Sequence, residues 1–278
     1  SQFCCTSLWF AGNGVMNELT VTFKLENNAL AHLTSAVQFG FILGTLIFAI
    51  LAITDRFSPS KVFFICALLG AISNIGVISD ENSLVSIIFL RFATGLFLAG
   101  IYPVGMKIAA DYYDKGLGKS LGFLVGALVL GTAFPHLVKD LAEAFQWKSV
   151  LIFISTLALI GGLLMLIMIP DGPYRKSGGM VKTSAFLDVF RNRQFRSAAL
   201  GYFGHMWELY AFWAFVPFIL TTYSIKHPEK IFNIPLLTFT IIGLGGFACV
   251  LGGYLAQRYG VKQIARLALI LSCGCCLI

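Results

Sequence analysis

The feature that most constrains this chain is the recurrence of apolar stretches long enough to cross a bilayer. They lie at 3–22, 29–53, 62–79, 84–110, 117–138, 148–169, 197–222, 234–256 and 263–278. A helix needs roughly 20 mostly apolar residues to span the hydrocarbon core. Membrane strands would show alternating segments of ~10 residues instead, so these lengths predict helices. Composition decides the class in the same direction. Hydrophobic residues make up 58% of the chain and charged residues 12%, against ~25% charged in soluble domains. The expectation is an all-α, multi-pass membrane protein. Ser1–Phe23 lacks a basic leader and a small-residue cleavage site and carries Asn13, Asn17 and Glu18. It therefore reads as a first membrane helix and not as a signal peptide. The chain begins with Ser inside one apolar run and stops at Ile278 inside another, which reads as a fragment.

The net charge of +7 has a topological origin. If the loop 54–61 faces the cytoplasm, that side carries Arg56, Lys61, Lys115, Lys119, Arg175, Lys176, Lys182, Arg191, Arg193, Arg196, Arg258, Lys262 and Arg266. The other side carries Lys24, Lys139, Lys148, Lys226 and Lys230. Such an imbalance orients helical membrane proteins in the cell's inner (plasma) membrane, and no nucleic-acid partner is expected. The cysteines all fall within apolar spans. Cys273, Cys275 and Cys276 have no His or acid beside them, so small packing residues are expected there, with no metal and no cofactor.

A short basic loop between two apolar stretches occurs twice, at Thr54–Lys61 and at Gly253–Lys262. The repeat predicts two related halves: a six-helix half over 1–169, a polar linker over 170–196, and about three helices of a second half over 197–278. Within the linker, Phe186, Leu187, Val189, Phe190 and Phe195 interleave with Asp188, Arg191, Arg193 and Arg196. That pattern predicts an amphipathic segment on the membrane surface.

These residues resemble the major facilitator superfamily of secondary transporters, whose loop after the second helix runs Gly-x-Leu-Ala-Asp-Arg-x-Gly-Arg-Lys. The first copy keeps Asp55, Arg56 and a nearby Lys61, but has Leu51 and Ser58 where the motif has Gly. The second keeps Gly253, Leu255, Ala256, Arg258, Gly260 and Lys262, with Gln257 in place of the acid. Arg91-x-x-x-Gly95 followed by Ala99-Gly100 is similar to the fourth-helix pattern, and Ile169–Pro173 to the segment closing helix six. The resemblance implies helices one to nine of an expected twelve. It also implies a cytoplasmic gate at Asp55 and Arg56, with Asp111 as a partner for Arg56, and a proton-coupling role for Arg91.

Charges inside a bilayer are costly, so each one is a functional candidate. Glu208 sits near the middle of the 197–222 span, with His205 at i−3 on the same face; the pair can bind and release a proton, or simply lock two helices. Arg91 can clamp an anionic solute, pair with Glu208, or brace its neighbours. Lys107 is placed to pair with Asp111 one turn later, with solute contact as the second option. Trp9, Asn13 and Asn17 recur every four residues and form one stripe, suited to a polar solute or to interhelical hydrogen bonds. Trp207, Tyr210 and Trp213 fall on a different side of their helix from Glu208 and suit packing. Gly122 and Gly126 allow a close helix approach. The resulting expectation is a monomeric secondary carrier, coupled to protons, that takes up a small polar or anionic solute by alternating access. A proton-driven exporter is the rival, though Gly131–Pro135 departs from the antiporter pattern Gly-Pro-x-x-Gly-Gly. A non-transporting scaffold or sensor is the third reading. No nucleotide-binding, metalloprotease or nucleophile-elbow pattern occurs, so an enzyme is not expected.

Overall fold

The computed structural model describes residues 1–26, 28–113, 117–141, 146–175, 189–230 and 232–276, and every regular element among them is a helix. Seven helical spans among the described residues are long and apolar enough to cross a membrane. Phe39, Ile72, Phe89, Ile167, Phe247 and Leu251 point outward, each more than half exposed. In water so much apolar surface would drive association; against acyl chains it is the compatible surface. The all-α membrane class read from composition stands on this pattern.

The first apolar stretch departs from the single helix expected over 3–22. It forms three short pieces, α1 (Gln2–Thr6), α2 (Ala11–Gly14) and α3 (Met16–Thr22). Gly12, Asn13 and Gly14 are weak helix formers and Val15 is β-branched, so local propensity does little to hold this stretch together. The remaining spans are more regular. α4 (Ala29–Ile50) ends where Ala52 takes a left-handed conformation (φ 49°), which turns the chain into α5 (Ile53–Arg56). α6 (Pro59–Gly76) follows, with proline in its first turn, where no N–H is needed. α7 (Leu84–Leu98) starts from a reciprocal Ser83–Ser86 capping box. The 84–110 stretch is interrupted before α8 (Tyr102–Tyr112), because Pro103 cannot donate to the carbonyl of Ala99.

α9 (Leu117–Leu141) and α10 (Trp147–Met168) complete six spans. α11 (Arg193–Lys226), α12 (Ile234–Tyr259) and α13 (Val261–Cys276) follow. α11 begins earlier than the apolar pattern indicates, because the Asn192 side chain accepts hydrogen bonds from the Gln194 and Phe195 amides. Arg193 and Arg196 therefore ride on a helix. Residues 176–188 of the expected amphipathic segment, with Lys115, lie outside the described residues.

α4 packs along α7, α6 lies against α7 and α10, and α1 sits against α9 and α10. A Cβ at Gly95 would stand 2.0 Å from the Val37 carbonyl oxygen, so only glycine allows α4 and α7 this approach. α12 joins the bundle along α9. There a Cβ at Gly122 would lie 3.2 Å from the Gly253 Cα, and one at Gly126 would lie 2.8 Å from the Gly246 carbonyl oxygen. The close approach expected at Gly122 and Gly126 is present, and Gly253 is its counterpart inside α12.

Candidate functional site

Arg91 on α7 is 1% exposed and lies inside the first bundle. Its guanidinium donates to the Leu8 carbonyl (3.3 Å), the Trp9 carbonyl and the Asn74 side-chain oxygen (3.3 Å). Leu8 and Trp9 lie in the turn between α1 and α2, where the regular helical ladder is interrupted and the Leu8 carbonyl takes a long bond from the Ala11 amide (3.5 Å). Arg91 supplies the donors, and Gly12 leaves room for it: a Cβ there would meet Arg91 Nε at 3.2 Å. Asn74 in turn donates to Ser155 Oγ (3.0 Å) and to the Leu151 carbonyl (3.4 Å). One network thus ties the first stretch to α6, α7 and α10. In this arrangement Arg91 braces its neighbours and does not meet Glu208. The guanidinium is committed to neutral acceptors, and no ion pair to it is found among the described residues.

The break at α1 also decides the fate of the predicted Trp9, Asn13 and Asn17 stripe. A four-residue spacing aligns side chains only on a continuous helix, and this stretch is not one. Trp9 is buried, Asn13 donates to Thr34 Oγ1 (2.9 Å) and Asn17 is exposed. Trp9 stacks on Tyr210 of α11 (5.2 Å between centroids, 21° between planes) and tilts against Phe41 (4.6 Å). Trp213 continues the cluster to Tyr210 (5.6 Å) and Phe10 (6.3 Å). Aromatic rings therefore join the first stretch to the seventh span, and Trp207, at 83% exposure, stays outside. The Trp9 indole nitrogen is buried without a hydrogen-bond partner among the described residues.

Glu208 lies on another side of α11 and faces α13. Its carboxylate accepts from Ser272 Oγ and from Cys276 Sγ (3.7 Å), and His205 Nδ1 stands 3.5 Å away, at ion-pair range but not hydrogen-bonded. The Glu208 and His205 side chains are each more than a third exposed. The His205–Glu208 pairing expected from their spacing is therefore present, but the pair does not meet Arg91.

At the face carrying the first basic loop, Lys107 bridges two acids, Asp55 at 3.0 Å and Asp111 at 3.7 Å. The expected intrahelical pair is there, and Lys107, not Arg56, is the partner of Asp111. Arg56 and Lys61 are exposed, as are Arg258 and Lys262 in the second copy. Gly260 ends α12 with φ 92°, a conformation that side chains rarely adopt. The segment after α10 closes over the first loop. Ser60 donates to the Ile169 carbonyl (2.7 Å), Ser58 to Asp171 (2.7 Å), Tyr112 to the Pro170 carbonyl (2.6 Å) and Arg175 to the Phe57 carbonyl (2.9 Å). Asp55, Lys107, Asp111 and the 169–175 strap thus form one polar layer across the ends of α4, α6, α8 and α10.

The family model of the Major Facilitator Superfamily matches residues 1–278. The chain belongs to this superfamily. Two proteins of Buchnera aphidicola, each called an uncharacterized transporter, are similar to it. That of subspecies Schizaphis graminum is 25% identical over 61% of this chain and 41% of its own length. That of subspecies Baizongia pistaciae is 33% identical over 33% of this chain and 23% of its own length. The chain thus spans less than half the length of these curated relatives. A bacterial homologue of the human lysosomal transporter Spinster, solved in an inward-facing and unoccupied conformation, superposes with a TM-score of 0.67. That match has 16% identity and covers 94% of this chain and 61% of the solved one, so it shows a shared fold.

Within this superfamily member, some site residues escaped the sequence reading. Asn74 and Ser155, fully buried around Arg91, were visible only as isolated polar residues in apolar spans, and such residues more often serve packing. Phe41 gave no signal among so many phenylalanines. Gln2 is buried with both side-chain atoms unpartnered among the described residues. It was legible as an amide at the start of an apolar run, although nothing in the spacing said what it faces.

Proposed function

We propose that the whole protein is a secondary carrier, not an enzyme, that couples uptake of a small polar solute to protons by alternating access. It would work as a monomer in the inner (plasma) membrane. The observation that carries the proton-coupling reading is Glu208: a carboxylate at mid-span, partly exposed, with His205 and the hydroxyl and thiol of Ser272 and Cys276 around it. A carboxylate with partners on another helix can change its proton and its partners together as helices move, whereas one locked in a buried ion pair cannot. The residue ranges 1–169, 170–196 and 197–278 serve this reading as a first half, a connecting segment and part of a second half, with the glycine seam between α9 and α12 as the surface on which they rock.

Arg91 enters through the first stretch: by holding Leu8 and Trp9 it keeps the aromatic contact to Tyr210 in place. The layer of Asp55, Lys107 and Asp111 acts as the cytoplasmic gate, with the basic residues Arg56, Lys61, Arg258 and Lys262 orienting the loops. Flux into proteoliposomes of the full-length protein tests the reading. Saturable uptake driven by an inward proton gradient, lost in Glu208→Gln while counterflow exchange persists, is the expected result. Gradient-driven uptake that survives Glu208→Gln unchanged would remove Glu208 from the coupling.

A further inference from the structure

α11 and α12 meet the first six spans through contacts of two different kinds. Between α9 and α12 the backbones themselves touch, with glycine on both sides at Gly122 and Gly253 and again at Gly126 and Gly246. That seam is tied near both ends of the two helices. The Asn233 amide donates to Asp140 Oδ1 at one end, and Lys119 Nζ lies 4.6 Å from the centre of the Tyr254 ring at the other. Backbone against backbone leaves no side chain to swing aside, so parting this seam forfeits packing along its whole length.

Around Trp9 the contact is made by rings. Trp9 stacks on Tyr210, Phe10 stands edge-on to Trp213, and Phe41 of α4 backs Trp9. Trp9, Phe10 and Trp213 are all buried. One feature opposes this closure: the Trp9 indole N–H has no acceptor among the described residues. A buried donor left unpaired is destabilising by an amount of the same order as the gain from ring pairing. Separation of the rings would admit water to that N–H. The closed contact therefore lies near balance, while Arg91 holds the backbone that carries Trp9.

We propose that the Trp9–Tyr210 stack is a latch between the two halves, which parts and re-forms while the α9–α12 seam stays shut as the hinge. The proposal rests on the carrier reading and says where its movement is concentrated. In the latched form the rings hold the first stretch against α11. In the open form water reaches the Trp9 N–H and removes the penalty that opposed closure.

Pulsed dipolar distances between spin labels on the purified full-length protein, in a cysteine-free background, test the latch. Labels at Glu81→Cys and Glu229→Cys span the two halves from exposed sites. Labels at Leu141→Cys and Leu236→Cys, also exposed, span the seam. Tyr210→Leu removes the stack and should enlarge the longer-distance population of the first pair about twofold or more, whereas Tyr210→Phe keeps a ring and should stay near the parent. Benzothienylalanine in place of Trp9 has sulfur where the N–H stood and nearly the same shape, so it should shift the first pair the opposite way. The seam pair should hold one distance throughout. A first pair indifferent to Tyr210→Leu, or a seam pair that widens with it, overturns the latch. Should Tyr210→Leu fail to fold, the Trp9 isostere decides, and no shift with it overturns the latch. Repeating the measurement at acidic and alkaline pH keeps the two readings apart. Distances that follow Tyr210 but not pH uphold the latch and remove proton coupling; a pH response that is lost in Glu208→Gln, with no response to Tyr210→Leu, does the reverse.

Discussion

Arg91 and Glu208 are both ionisable groups in mid-span, and their surroundings are opposite. Arg91 is sealed among three neutral acceptors on two other segments of one bundle. Glu208 is partly open and sits between two helices with a histidine, a hydroxyl and a thiol around it. The difference teaches that an intramembrane charge can be retained for either of two reasons. A guanidinium has five donors in a fixed fork and remains charged, so it can saturate a broken stretch of backbone. A carboxylate with rearrangeable partners can gain and lose a proton. Charge and depth alone do not separate these roles; the number and kind of partners do.

The comparison breaks if removing Arg91 is harmless. Arg91→Ala should take the donor from the Trp9 carbonyl and the Asn74 oxygen at about 1–3 kcal/mol each, and leave the Leu8 carbonyl with the Ala11 amide. The expected outcome is loss of monodisperse, folded protein in size-exclusion and thermal-melting assays. Arg91→Lys should recover little, because a single ammonium cannot reach all three acceptors. Asn74→Ala comes next. It removes the relay to Ser155 and should lower stability by about 1–3 kcal/mol, read as a clear drop in melting temperature.

On the other side of the comparison, Ser272→Ala should cost about 0.5–1.5 kcal/mol in the same assay, yet alter the pH profile of uptake. A change in melting without any change in that profile would recast Glu208 as a helix lock like Arg91. Smallest of all, Lys107→Met acts on a partly exposed ion-pair layer and should shift stability by no more than about 1 kcal/mol. Its expected signature is a change in accessibility of the Asp55 face to a membrane-impermeant thiol reagent, using a cysteine placed at Ser58.

The number, length and polarity of the apolar stretches determined the class, the order of the spans and the membrane-facing composition, because bilayer thickness and backbone hydrogen bonding leave few alternatives. Local spacing likewise determined the His205–Glu208 pair, the Lys107–Asp111 pair and the closeness permitted by Gly122 and Gly126, since helical neighbours at i+3 and i+4 follow from geometry alone. What remained for the tertiary structure was everything that depends on a partner distant in the chain. It broke the first stretch at Ser7–Phe10, where Arg91 donates to the Leu8 and Trp9 carbonyls, and with that it dissolved the Trp9, Asn13 and Asn17 stripe. It placed Lys107 against Asp55, Trp9 against Tyr210, and Gln2 against Gly105. Periodicity reports which residues share a face, but the free energy of a buried charge or amide is set by what stands opposite, and that is decided only when the helices pack.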